Sequence, residues 1–270
     1  MAYPTILVHV DDGAHSAGRI RLATHLAQRV GGHLIGAAPT GVSRFLDHSM
    51  PLDNDALAQR RAQARAALAA FGAQCDASRL PSFEARFIDD EASAGLNLHG
   101  RAAELLVLGQ DTPEVAARVI KGAGRPVLLV PANGPGLSVG RQILVAWDGG
   151  REAARALQLA LPLLKDANRV DIALLEVAGA GQRLTDALAT DPRPWLARHG
   201  VQATLTVHAR EHGRQRRHQV GERLLGLALD QGADLLVMGA YGQTRFREPL
   251  LGGVTRSVIQ AMTLPVLLAH

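Results

Sequence analysis

The chain has 270 residues and a mass of 28.6 kDa, room for one large domain or two of about 135 residues. Hydrophobic residues make up 47% and charged residues 20%, which excludes wholesale disorder. The net charge is only +4 despite a pI near 9.9, and aromatic residues are 3% of the chain, too few to stack on single strands, so nucleic-acid binding is not expected. No apolar run approaches the roughly 18 residues a spanning helix needs. Met1-Ala2-Tyr3-Pro4-Thr5 carries no basic residue ahead of its apolar stretch, so it does not read as a leader, and a cytoplasmic protein without a membrane partner is expected. The single cysteine, Cys75, rules out an intrachain disulfide and a multi-cysteine metal site.

Three stretches recur in the same order. Thr5-Ile6-Leu7-Val8-His9-Val10-Asp11-Asp12-Gly13 matches Gln142-Ile143-Leu144-Val145-Ala146-Trp147-Asp148-Gly149-Gly150 at an offset of 137 residues. Ala103-Glu104-Leu105-Leu106-Val107-Leu108-Gly109 matches Ala233-Asp234-Leu235-Leu236-Val237-Met238-Gly239 at 130, and Arg125-Pro126-Val127-Leu128-Leu129-Val130 matches Leu264-Pro265-Val266-Leu267-Leu268-Ala269 at 139. The chain therefore reads as two tandem copies of one domain, 1–134 and 141–270. The turn formers of Ala132-Asn133-Gly134-Pro135-Gly136-Leu137-Ser138 join them.

In chain order, the first copy predicts strands at 6–10, 33–38, 83–88, 105–108 and 127–130, with helices at 16–30 and 55–71. The second predicts strands at 143–146, 170–177, 202–208, 235–238 and 265–268, helices at 151–164 and 220–230, and a further helix after the glycine-rich loop near 252. Continuous apolar runs mark strands buried on both faces. Their alternation with helices gives an α/β fold, each copy a doubly wound, five-stranded parallel sheet.

Ligands bind such sheets beyond the carboxyl ends of the strands. In the second copy the first strand runs into Asp148-Gly149-Gly150, and the fourth into Gly239-Ala240-Tyr241-Gly242, nine further residues, then Gly252-Gly253-Val254-Thr255 at a helix start. Glycines admit an anion to backbone N–H groups, and a helix N-terminus offers unpaired donors. Thr255 can add a hydroxyl, with Arg245, Arg247 and Arg256 near in sequence. No Gly-Lys-Ser/Thr and no Gly-x-Gly-x-x-Gly occurs after the first strand, which excludes a P-loop and a dinucleotide fingerprint.

Gly239-x2-Gly242-x9-Gly252 in this position resembles the adenine-nucleotide loop of universal stress proteins. The likeness covers nearly the whole chain as a tandem pair. It also rests on Asp148, the Met238-Gly239 junction and the closing Pro265-Val266-Leu267-Leu268. The resemblance implies strand order 3-2-1-4-5 in each copy and pairing through the fifth strands, so that the copies form an intramolecular pseudo-dimer. It implies ATP or another adenine nucleotide as ligand, with or without Mg²⁺. Asp148 would then meet the adenosine part, and Val177 would border the base. Met238, Gly239, Gly242, Gly252, Gly253 and Val254 would wrap ribose and phosphates. The family usually places Ser or Thr directly after the last glycine; here Gly253 stands there and Thr255 lies two residues on, which keeps the backbone N–H and displaces the side-chain donor.

In the first copy, Gly109 to Pro126 is 17 residues against 26 from Gly239 to Pro265, and the missing nine fall in the loop. Gln110-Asp111-Thr112-Pro113-Glu114 retains no glycine spacing, and its two acids would repel polyphosphate. A nucleotide-free, structural or partner-binding copy is expected. His208-x3-His212 with His218, and Arg214, Arg216 and Arg217, read as solvated loop rather than ligands. His9 and Trp147 read as core, Cys75 as inert, and the adjacent Asp11 and Asp12 as pointing apart rather than chelating. With no general base to name, the expectation is a nucleotide-binding stress-response module rather than an enzyme. A slow ATP hydrolase and a nucleotide-free interaction scaffold are the alternatives. Protein partners, and a further homodimer of the tandem chain, stay open.

Overall fold

The computed structural model describes residues 3–42, 54–132, 138–175, 181–209, 217–242 and 253–270. The chain divides into two compact units, Ala2–Leu137 and Ser138–His270. Residues 133–137 of the turn-rich join lie outside the described residues.

The first unit runs β1 (Thr5–His9), α1 (Ser16–Val30), β2 (His33–Pro39), α2 (Asn54–Ala77), β3 (Phe83–Ile88), α3 (Ala92–Gly100), β4 (Leu105–Gly109), α4 (Pro113–Gly122) and β5 (Val127–Val130). All pairings are parallel, in the order β3-β2-β1-β4-β5. Ile6, Leu7 and Val8 on β1 and Leu105 to Leu108 on β4 are fully buried, because a strand covered by helices on both sides has no wet face to alternate with. Phe71 on α2 closes over β2, where a Cβ on Gly36 would lie 2.5 Å from its ring.

The second unit runs β6 (Gln142–Ala146), α5 (Arg151–Leu159), α6 (Leu161–Lys165), β7 (Arg169–Leu175), α7 (Gly181–Ala189), α8 (Arg193–Arg198), β8 (Thr204–His208), α9 (Arg217–Asp230), β9 (Leu235–Gly239), α10 (Gly253–Ala261) and β10 (Val266–Ala269). Its parallel order is β8-β7-β6-β9-β10. Both units thus have the order 3-2-1-4-5. Asp234 ties the start of this unit to β9, its carboxylate accepting from the backbone N–H of Gly140, Arg141 and Gln142 and from Ser138 Oγ.

Four differences from the sequence reading have local causes. The helix expected over 151–164 is two helices that meet at Ala160, with Pro162 in the first turn of the second, where its missing N–H costs nothing. Helix α2 runs to Ala77, beyond the predicted 71. Helices α3, α4, α7 and α8 went unpredicted; α3 in particular carries Gly95, Asn97 and Gly100, weak helix formers, and is started by Glu91, whose carboxylate accepts from Ala94 N at 2.8 Å. The strand expected over 170–177 is described only as far as Leu175. No helix among the described residues is long and apolar enough to cross a membrane.

Candidate functional site

In the second unit β6 lies between β7 and β9, so the strand order reverses there and a crevice opens at the carboxyl ends of β6 and β9. Strand β6 continues into Trp147, whose N–H still bonds Ala173 O on β7 at 2.9 Å. The Trp147 indole is buried, its Nε1 donating to Ala187 O of α7 at 3.2 Å. Alternation sends the next side chain outward. Asp148 is exposed, and its Oδ1 accepts from Gly150 N at 2.9 Å, a local turn that delivers the chain into α5. Gly149 turns at φ 71° under α7.

Across the crevice, β9 ends at Gly239. A Cβ there would lie 2.6 Å from both Ala153 N and the Glu152 carbonyl carbon, so Gly239 lets the first turn of α5 sit directly on the strand end. Met238, one residue earlier, is buried in the sheet and registers with Leu268. Ala240 and Tyr241 are buried while Gly242 is exposed. Tyr241 adopts φ 61°, a left-handed conformation seldom held by a bulky residue. Its N–H donates to Thr255 Oγ1 at 3.3 Å, and its ring meets His270 edge-on at 5.9 Å. Thr255, buried on α10, therefore anchors the turn that follows β9. Gly253 and Val254, the first residues of α10, are half-buried, their N–H groups belonging to a first turn that intrahelical bonds do not satisfy.

Asp148, Met238, Gly239, Gly242, Gly253, Val254 and Thr255 are thus all at or near one end of two adjacent strands. Val177 and Gly252 lie outside the described residues, as do Arg245, Arg247, His212, Arg214 and Arg216. Arg256 is exposed on α10.

Sequence reasoning missed Glu152. It is the second residue of α5, 7% exposed, and its Oε2 lies 2.6 Å from where a Cβ on Gly242 would be. Burial alone would raise its carboxyl, but the hydrogen bond from Arg151 Nε, its own backbone N–H and the charges of Arg151 and His270 bring it below the usual glutamate range. Glu152 is therefore an anion at neutral pH, set under the glycine turn.

The first unit fills the matching crevice from within. Arg19 on α1 is 1% exposed; its Nε donates to His9 O at 2.8 Å, Nη2 to Asp11 Oδ2 at 2.7 Å and Nη1 to Asp111 Oδ1 at 3.3 Å. A Cβ on Gly109 would lie 1.9 Å from Asp111 and 2.2 Å from Arg19. Burial, with the Arg19 charge, pushes the His9 ring down to about 4. Asp11 feels burial in the raising direction, and Arg19, His9 and Gly13 N hold it net below the usual range. At the offset of 137, Ala146 and Ala156 stand where the first copy has His9 and Arg19.

Other candidates lie apart. Cys75 is buried and its thiol is pushed up to about 11 by that burial, far from a reactive thiolate. Among the described residues no three His, Cys, Asp or Glu side chains converge on a metal position.

Residues 140–270 match the model of the universal stress protein family. The second unit is a universal stress protein domain. Over 46 residues the chain is 44% identical to a curated universal stress protein of Methanocaldococcus jannaschii, a stretch that spans 17% of this chain and 28% of that protein's length. A universal stress protein structure from Archaeoglobus fulgidus matches 98% of this chain and 95% of its own at 16% identity, with a TM-score of 0.74. A functionally unknown protein from Pseudomonas aeruginosa matches 99% and 92% at 17% identity, with a TM-score of 0.61. At those identities the likeness is one of fold, and it extends the universal stress protein fold to the first unit as well.

Proposed function

We propose that the universal stress protein domain of this chain binds one adenine nucleotide in the crevice between β6 and β9, as a sensing or regulatory module of a cytoplasmic stress response. The observation that carries the reading is the switch point itself: Asp148 ends one strand, Gly239 to Gly242 end its neighbour, and the start of α10 is fastened to that turn through Thr255 and Tyr241. Donors at Gly253 and Val254 suit a phosphate, and an exposed carboxylate at Asp148 suits ribose hydroxyls. The family resemblance of the glycine spacing supports adenine as the base. In the first unit, Arg19 and Asp111 already occupy the corresponding space, which supports a single site per chain.

Calorimetric titration of the whole chain with AMP, ADP and ATP, with and without Mg²⁺, tests this. The expected stoichiometry is one nucleotide per chain, and Asp148→Ala should weaken binding at least tenfold with an unchanged circular dichroism spectrum. Two sites per chain, or no binding of any adenine nucleotide, would overturn the reading and favour a scaffold.

A further inference from the structure

We infer that Glu152 sets how many phosphates the crevice accepts, so that it favours an adenine nucleotide bearing one phosphate over the polyphosphates. This rests on the nucleotide reading above and concerns the same site. Three observations carry it.

The first is placement. Glu152 sits between the first turn of α5 and the turn after β9: its Cβ is 2.8 Å from the Cβ position of Gly239 and its Oε2 2.6 Å from that of Gly242. A phosphate drawn to the exposed Gly242 turn therefore comes close to this carboxylate. The second is that the helix start is already spent. The N-terminus of α5 packs on the end of β9, and Glu152 is the anion it stabilises, so its field is no longer free for a ligand. Among the described residues, that leaves a phosphate the start of α10. The third is that, among the described residues, Glu152 has no buried counter-charge of the kind seen in the first unit. There, a guanidinium 1% exposed pairs with both carboxylates of the crevice. Glu152 has Arg151, which is 88% exposed and whose charge water screens.

A buried anion is repelled by each added phosphate charge, and the low-dielectric floor beneath the turn lets that repulsion reach several ångströms. One phosphate can be offset by the α10 donors; the second and third each add charge that Glu152 repels. A divalent cation bridging the ligand's phosphates would cancel part of this penalty.

The experiment is a titration of the intact chain with AMP, ADP and ATP in EDTA, repeated with Glu152→Gln and with excess Mg²⁺ in place of EDTA. The expected result is an affinity ladder AMP over ADP over ATP spanning at least tenfold in EDTA. Glu152→Gln should compress the ladder to within about threefold, chiefly by strengthening ATP, and Mg²⁺ should do the same for the unaltered chain. The unaltered chain alone decides the matter if the variant does not fold. ATP bound as tightly as AMP in EDTA would overturn the inference and leave the nucleotide reading standing. An unchanged ladder in folded Glu152→Gln would likewise remove Glu152 from its role. Failure of all three nucleotides to bind would remove both.

Discussion

The Arg19 guanidinium donates to Asp11 Oδ2 at 2.7 Å while all but 1% of Arg19 itself is withdrawn from solvent. Neither group would be stable there alone: the carboxylate would be half-buried beside a buried histidine, and the guanidinium would be a bare, almost fully buried cation. The pair belongs to the first unit's fold rather than to a ligand.

Arg19→Met should accordingly destabilise the first unit by about 3 kcal/mol, since it strands Asp11 and Asp111 without a counter-charge. The double variant Arg19→Met/Asp111→Asn should recover part of that loss. Urea unfolding followed by amide exchange on β1 and β4 reads the first unit, whereas both tryptophans, Trp147 and Trp195, lie in the second and supply an internal control.

Acidification should weaken the same unit in two stages. His9 titrates near 4 when folded against 6.5 for the free ring, so the unfolded chain takes up the proton first and stability falls as pH drops from 6.5 towards 4. Asp11, whose folded value is depressed, adds stability above the ordinary aspartate range that is lost as pH falls further, through its folded value. His9→Gln should flatten the upper stage, worth on the order of 3 kcal/mol, and spare the lower one. Denaturation midpoints between pH 7.5 and 3 (roughly the span over which linkage acts) check both.

How much of this was legible beforehand differs by residue. The strands at the site were plain, because runs such as Ile143 to Val145 and Leu235 to Met238 are apolar without alternation. Their order rested on family resemblance, since no local pattern specifies which strand neighbours which. Asp148 and the spaced glycines stood out by position. Glu152 did not: an acid in the first turn of a helix is ordinary, and only the approach of Gly239 and Gly242, some 90 residues away in sequence, buries it. Arg19 left a fainter trace. It recurs with Ala23, Leu26 and Ala27 on the buried stripe of α1, a charge among apolar positions, and its repeat partner Ala156 is small.

The two glycines of the turn should respond differently to a methyl group. Gly239→Ala drives a Cβ to 2.6 Å from the backbone of α5, which cannot retreat without lifting the helix, so a loss of about 2 kcal/mol is expected with or without ligand. Gly242→Ala meets only the end of the Glu152 side chain, which can swing away, so stability should change by less than about 0.5 kcal/mol while nucleotide binding weakens. Thermal melts alongside titrations separate the two effects.

Thr255→Val keeps the shape of the buried side chain and deletes the acceptor for Tyr241 N–H. Without it the left-handed turn at Tyr241 loses a brace, and a cost of about 1 kcal/mol is expected. Faster amide exchange at Tyr241, with β6 unaffected, would locate the effect; uniform exchange across the unit would contradict it.

The bond between Tyr241 and Thr255 also brings together two points 14 residues apart in sequence, so that whatever lies between them is closed off at its base. Closure entropy grows only slowly with length once the ends are fixed, so chain can be added to or removed from such an excursion at little cost to the sheet. The first unit illustrates the short extreme: Gly109 passes to α4 within four residues, and β4 and β5 pair as β9 and β10 do. The braced stem, rather than the chain between its ends, then carries the register of β9 and β10, and segments of other lengths and charges could be grafted between Gly242 and Gly253 without disturbing it.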